Sequence, residues 1–124
     1  MDLIIDRQTW LHQEGPGAGI LYRSSDGKSC CLGFYCRALG ISNDVLENKA
    51  EPNDIDHVLL RKFTRGSWLI DKEPNGEYGN SIDAMRLMAE NDRLEISEFS
   101  SQEEIENGIT VLFAAHDVHV TFVN

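Results

Sequence analysis

The sequence predicts an α+β domain in which one small sheet, antiparallel or mixed, includes both chain termini and is covered on one face by three helices. An apolar, β-branched stretch lies near each end of the chain, and segments with apolar residues at helical spacing lie between them. The length of 124 residues is close to that of one domain. We therefore expect residues 1–124 to form a single domain, because elements with one apolar face are stable when another element covers that face.

The N-terminal part predicts two short strands with an irregular connection. Residues 3–5 are Leu-Ile-Ile, which favours a strand, and Asp6 stands at the N-cap position of a single helical turn over residues 7–11. Residues 14–19 contain three glycines and one proline, which break regular structure. Residues 20–23 have the β-branched and aromatic content of a second strand.

A buried helix is predicted after the turn at residues 24–27. Residues 30–39 are apolar at helical spacing, and Gly40 stands where a C′ glycine ends a helix. The apolar face consists of Cys31, Phe34, Tyr35 and Leu39. A short helix is expected over residues 42–46, after which prolines and glycines interrupt regular structure up to residue 79.

Two amphipathic helices are predicted in the last third of the chain. Asn80 or Ser81 caps the first, over residues 82–90, and its apolar face consists of Ile82, Met85, Leu87, Met88 and Ala89. A hydroxyl at residues 100–101 with a glutamate three residues later has the spacing of a capping box and begins the second. Its apolar face consists of Ile105, Ile109, Leu112 and Phe113.

The most regular strand is predicted at the C-terminal end. Residues 118–123 alternate strictly, which places Val118, Val120 and Phe122 on one face. We expect this strand and residues 3–5 to enter the same sheet. The helices around Cys31, Met85 and Ile109 would cover one face of it.

The composition is acidic. Lys and Arg number 11 against 21 Asp and Glu, so the net charge is −10 and the pI is about 4.7. Direct binding to nucleic acid draws its affinity from Lys and Arg, so none is expected. No apolar run approaches the roughly 20 residues of a membrane span, and residues 1–6 do not have the pattern of a signal peptide. The sequence thus predicts a cytoplasmic protein without membrane contact.

Three cysteines, Cys30, Cys31 and Cys36, lie close together in the sequence. An odd number in so tight a group is a poor disulfide framework, so reduced thiols are expected. A thiol near Lys28 at a helix N-terminus would be favoured as thiolate, which leaves a nucleophilic cysteine as one interpretation. Buried structural thiols are the other interpretation, because free cysteine is among the most buried residue types.

No other pattern predicts catalysis or metal binding. The cysteine spacing is unlike that of zinc sites, and His116 and His119 straddle a predicted junction of helix and strand. The glycines of residues 15–19 precede a strand, whereas a phosphate-binding loop opens a helix. The motifs of serine hydrolases, kinases and HExxH metalloproteases are missing from the sequence. We therefore expect no catalytic residue, no metal ligand and no cofactor.

Acidic residues are concentrated between positions 90 and 106, where Arg93 is the only basic residue. They are Glu90, Asp92, Glu95, Glu98, Glu103, Glu104 and Glu106. Such a segment is either a solvated face or a docking surface for a basic partner. Trp68, in the middle of the chain, is the aromatic residue that we expect to be exposed, and aromatic anchors are common at interfaces. Together these residues form the predicted partner-binding site.

The run over residues 26–41 resembles a known group of proteins. Its first part, Asp-Gly-Lys-x-Cys-Cys-Leu-Gly-Phe, is similar to a sequence in uncharacterised small proteins encoded by bacteriophages and prophages. Residues 88–92 and 113–123 have a similar arrangement to these proteins, whereas the middle of the chain matches poorly. The resemblance implies a phage or prophage gene product in the cytoplasm of a bacterial host cell. It implies no activity.

Two functions fit these patterns. The first is a small acidic, phage-encoded accessory protein that binds and inhibits a host or defence protein with a basic surface, of the anti-CRISPR or anti-restriction type, without enzymatic activity. Its net charge of −10 is milder than that of strong nucleic-acid mimics. The alternative is a small cysteine-dependent enzyme or ligand-binding module built around Cys30, Cys31 and a histidine. The reactivity of the native thiols discriminates between the two.

Overall fold

Mixed α and β structure extends over residues 1–12, 19–93 and 101–124, which are the residues that the computed structural model describes. The elements in chain order are β1 (Asp2–Asp6), α1 (Cys31–Leu39), α2 (Asn43–Leu46), α3 (His57–Arg61), β2 (Ile70–Lys72), β3 (Tyr78–Asn80), α4 (Ile82–Asn91), α5 (Gln102–Ala114) and β4 (His119–Val123). Short 3-10 turns lie at Pro52–Asp54 and Ser67–Leu69. The α+β class is confirmed.

The strands at the two ends of the chain pair with each other, as predicted. They run parallel, with Asp2 opposite His119 and Asp6 opposite Val123. The expectation of an antiparallel or mixed terminal sheet is wrong, because within the described residues this sheet consists of the parallel pair β1–β4. Strands β2 and β3 form a separate antiparallel sheet. Parallel pairing needs a crossover connection, and the chain between β1 and β4 provides it.

Helices α1 and α5 pack on the terminal sheet, α1 against β1 and α5 against β4. The main contacts of α4 are with α1 and α5, so the expected cover of one sheet face by three helices is not confirmed. The inward side chains join one hydrophobic cluster of buried residues, which includes Leu3, Ile5, Val120, Tyr35, Leu87, Ile109 and Phe113. On the outer face of the sheet, Ile4 is 62% exposed.

Helix boundaries follow their capping residues. The Ser81 hydroxyl accepts a hydrogen bond from the backbone N–H of Ala84 at the start of α4, and the Ser101 hydroxyl accepts from Glu104 at the start of α5. Gly40 ends α1 with φ of 104°, a conformation that favours glycine. These predicted ends are confirmed.

Two predicted elements near the N-terminus are wrong. Residues 7–9 form a turn in which the Asp6 carboxylate accepts from the backbone N–H of Gln8, so the acidic side chain closes a turn and no helix begins. Residues 20–23 form isolated bridges with residues 28 and 47 but no strand, because no neighbouring segment continues the pairing. The predicted break at 14–19 lies outside the described residues, except for Gly19.

The buried faces of α1 and α4 also differ from the prediction. In α1, Leu32 and Cys36 are buried with Cys31 and Tyr35, whereas Phe34 and Leu39 are half-buried. In α4, Ala84, Leu87 and Asn91 are buried, while Ile82 is 60% and Met85 is 49% exposed. A polar residue on the packed face of α4 hides that face from a purely hydrophobic pattern.

Gly33 explains part of the Cys-Cys-Leu-Gly-Phe run. A Cβ atom at this position would lie 1.8 Å from the carbonyl oxygen of Leu21. The backbone at Leu21 therefore crosses α1 so closely that only glycine fits at position 33. Together with the burial of Cys31 and Leu32, this contact gives the run a role in packing.

Candidate functional site

Four of the seven acidic residues predicted to bind a partner lie at one end of the α4–α5 pair of helices. The two helices are antiparallel, since Glu90 lies against Gly108 at one end and Asp83 bonds to His116 at the other. The end of α4 therefore lies beside the first turns of α5. We call this region the acidic end, and it comprises Glu90, Glu103, Glu104 and Glu106. The Asp92 carboxylate lies instead against Gly19, in a pocket that Cys30 also lines. Glu95 and Glu98 lie outside the described residues.

Glu106 is engaged within the protein. Its two carboxylate oxygens accept hydrogen bonds from Nε and Nη2 of Arg7 at 2.9 and 2.7 Å, and one also accepts from Gln102 at 2.7 Å. The hydrogen bonds from Arg7 lower the pKa of the Glu106 carboxyl. This side chain therefore ties α5 to the turn that follows β1.

Arg93 is shared by two other carboxylates. Its Nη1 lies 2.9 Å from Oε1 of Glu90, and its Nη2 lies 3.7 Å from Oε2 of Glu104. One cation between two carboxylates leaves excess negative charge. Within the described residues Glu103, which is exposed, has no hydrogen-bond or ion-pair partner for its side chain.

Acidic side chains also stabilise the first turn of α5. Glu103 and Glu104 stand in the first turn, where a negative charge interacts favourably with the helix dipole. The acidic end therefore has a structural role as well as a surface potential. The two roles are compatible, because the dipole interaction leaves the side chains in solvent.

Trp68 lies apart from the acidic end. Its ring stacks on that of His116 at 3.8 Å, and its Nε1 donates to Oη of Tyr35 at 3.0 Å. His116 in turn bonds to Asp83, in the first turn of α4. The predicted exposure of Trp68 is wrong: the residue is half-buried, because its ring packs on His116 and bonds to Tyr35. These contacts are not with the predicted acidic residues, so the structure does not bring Trp68 together with them.

A surface groove between α4 and α5 was not predicted from the sequence. It lies between Arg86, Ala89 and Glu90 on α4 and Gly108, Val111 and Leu112 on α5, with a volume of about 550 Å³. We call it the α4–α5 groove. Val111 is 69% exposed beside it. One feature of the sequence could have indicated this groove, since α4 carries more apolar residues than a single buried face requires.

The cysteines lie in the core, all three as free thiols. Burial raises the pKa of Cys30 to about 11, with a further contribution from the charge of Asp92, and burial raises the pKa of Cys31 and Cys36 as well. The environment therefore favours the neutral thiol, which is the opposite of what a nucleophilic cysteine requires.

Two further features of the described residues concern metal sites and membrane-spanning helices. Across residues 1–12, 19–93 and 101–124, no three His, Cys, Asp or Glu side chains are grouped so that they could hold a metal ion together. Helices in the same ranges all fall short of the length and apolar character needed to cross a bilayer.

Comparison of the chain with protein-family models, with curated proteins and with solved structures finds no match. The resemblance to phage and prophage proteins therefore depends on the sequence motifs alone.

Proposed function

We propose that this chain is a small, phage-encoded accessory protein that binds a host or defence protein through a basic surface of that partner and inhibits it. It acts without catalysis, as an inhibitor of the anti-CRISPR or anti-restriction type. The observation that supports this most is the excess negative charge of the acidic end. Glu103 and Glu104 are exposed there, and Arg93 is shared by Glu90 and Glu104.

Electrostatic complementarity explains why such a surface suits recognition. Exposed charges of one sign raise the encounter rate with a partner of opposite sign and disfavour partners of the same sign. The net charge of −10 adds to the local field of the acidic end. A basic protein surface, such as one that normally contacts nucleic acid, has the complementary charge.

The alternative, a cysteine-dependent enzyme or ligand-binding module, is less well supported. A nucleophilic thiol is normally partly exposed and has a lowered pKa. Cys30 is 3% exposed and its pKa is raised, whereas Cys31 and Cys36 are fully buried. The packing role of the Cys-Cys-Leu-Gly-Phe run accounts for these residues without chemistry.

The experiment is affinity capture from bacterial lysates with the wild-type chain and with Glu103→Lys/Glu104→Lys, followed by an activity assay on the purified captured partner. The double variant removes the exposed carboxylates and leaves the Arg7–Glu106 pair intact. We expect the wild-type chain to capture and inhibit a protein with a basic surface, and the variant to do neither.

Asp44→Lys/Glu47→Lys is the matched control. These residues are exposed on and beside α2, and the substitutions change the net charge by the same amount. Capture should survive in the control. Equal loss in both variants would show that only total charge matters, and unchanged capture by Glu103→Lys/Glu104→Lys would contradict the proposal.

A further inference from the structure

We infer that the α4–α5 groove receives an apolar side chain from a basic amphipathic segment of the partner protein. This inference rests on the proposed function and adds to it the shape and chemistry of the partner. The acidic end alone would accept any basic surface. The groove beside it selects a segment that presents an apolar face next to its basic residues.

Most of the groove surface is apolar. The cation Arg86 also lines it on α4, where its guanidinium lies 3.5 Å from the Asp83 carboxylate. Three apolar side chains line the groove: Ala89 is exposed, Leu112 is half-buried and Val111 is 69% exposed. Met85, one turn before Ala89 on the same side of α4, is 49% exposed. Adjacent exposed apolar side chains of this kind mark interaction sites more often than isolated ones do.

Gly108 shapes the end of the groove near the acidic residues. A Cβ atom there would lie 2.8 Å from the carboxyl carbon of Glu90, so glycine lets this side chain lie across α5. The Glu90 carboxylate accepts a hydrogen bond from Arg93 and lies at the edge of the groove.

The size of the groove suits part of a peptide. Its volume of about 550 Å³ is largely open to solvent, so it can receive a side chain of a peptide without enclosing a ligand. An amphipathic helix commonly binds by placing apolar side chains in a groove between helices. The antiparallel α4–α5 pair offers that geometry.

Charge complementarity decides which segment fits. Glu103 and Glu104 stand one turn before Asn107 and Gly108 on α5, so a negative field borders one end of the groove. A second copy of this chain would bring another net charge of −10 to the interface, which opposes self-association. The occupant is therefore a segment whose apolar side chains are flanked by Lys or Arg.

The test uses three synthetic amphipathic helices as probes, with amide chemical shifts of the full-length protein as the readout. The first peptide consists of leucine and lysine, the second replaces leucine with glutamine, and the third replaces lysine with glutamate. We expect only the leucine–lysine peptide to bind with high affinity and to shift the amides around Val111.

Variants of two exposed valines give a matched comparison. Val111→Ser changes the groove, and Val58→Ser changes α3, where the side chain is 56% exposed. Both positions are exposed, so both variants should keep their thermal stability. We expect Val111→Ser to weaken the binding of the leucine–lysine peptide by about fivefold or more, and Val58→Ser to leave it unchanged.

Each other outcome is decisive. Equal binding of the glutamine–lysine peptide, or an unchanged affinity of Val111→Ser for the leucine–lysine peptide, would contradict the inference that the groove receives an apolar side chain. Neither result would contradict the proposed charge-based function. Equal binding of the leucine–glutamate peptide would instead contradict the basic partner of the proposed function. A dimer of the wild-type chain in sedimentation that Val111→Ser abolishes would show that the groove binds a second copy, which also overturns the inference.

Discussion

The indole Nε1 of Trp10 donates a hydrogen bond to Oδ1 of Asn91 at 2.7 Å and so joins residues that are 81 positions apart in the sequence. The same oxygen accepts from the backbone N–H of Cys31 at 2.9 Å, and Nδ2 of Asn91 donates to the carbonyl of Leu11 at 2.9 Å. Asn91 is fully buried. One amide therefore links the segment after β1, the start of α1 and the end of α4.

Asn91→Ala should destabilise the fold by at least about 3 kcal/mol. Three buried polar groups lose their partner, and each unsatisfied group costs about 1–3 kcal/mol. Chemical denaturation monitored by tryptophan fluorescence measures the loss. Asn43→Ala, at an exposed position of α2, is the control and should change stability little. A similar small effect for both variants would show that the Asn91 hydrogen bonds do not hold the core together.

Truncation after Asp117 should unfold the protein. It removes β4, which is the hydrogen-bonding partner of β1, together with the buried Val120 and with Phe122, whose ring lies 5.0 Å from that of Trp10. Burial of one such side chain contributes about 1.5–3 kcal/mol to a total of 5–15 kcal/mol. Far-UV circular dichroism decides the outcome. Removal of Asn124 alone should have no effect, and native-like melting of the Asp117 truncation would contradict the fold.

The native thiols should react slowly with a thiol reagent at neutral pH. Burial raises the pKa of Cys30 to about 11 and the pKa of Cys31 and Cys36 as well, so the thiolate fraction is small and the sulfur atoms are covered. Labelling in denaturant should release three reactive thiols per chain. Rapid labelling of one thiol in the native protein would contradict this prediction and support the alternative function of a cysteine-dependent enzyme.

The Arg7–Glu106 pair should make stability depend on pH in the acidic range. Hydrogen bonds from Arg7 lower the pKa of Glu106 from its ordinary value of 4.5, so the contribution is fully present above that value and is lost as the pH falls through the lowered one. Glu106→Gln should therefore reduce stability at neutral pH, with the difference shrinking on acidification. Denaturation curves at several pH values measure this.

Glu77→Gln is the control for the pH series, since this exposed side chain lies outside the helices and has no hydrogen bond or ion pair within the described part of the chain. It should change stability little at any pH in the series. A constant difference between wild type and Glu106→Gln at every pH would contradict a role of the carboxylate charge in this pair.

Local chemistry made much of the fold predictable from the sequence. Ser81 and Gly40 mark helix ends because their side-chain or backbone preferences act within one turn. The alternation over residues 118–123 indicates a strand because the period of two is a property of the strand itself. Both kinds of evidence are independent of the rest of the chain.

Structural features that depend on contacts between residues far apart in the sequence could not be predicted. Asn91 looks like a helix end in the sequence, whereas its burial depends on Trp10 and Cys31. The exposure of Met85 follows from which side of α4 meets α1 and α5. The acidic end was predicted from charge spacing, but the α4–α5 groove required the antiparallel arrangement of two helices.

The most direct test of the central claim is the salt dependence of affinity between this protein and its captured partner, compared for the wild-type chain and Glu103→Lys/Glu104→Lys. If the acidic end binds a basic surface, the wild-type affinity falls steeply as salt increases, and the variant binds more weakly with a flatter dependence. Equal affinities with equal salt dependence would contradict the claim, because the exposed carboxylates would then have no part in the interface.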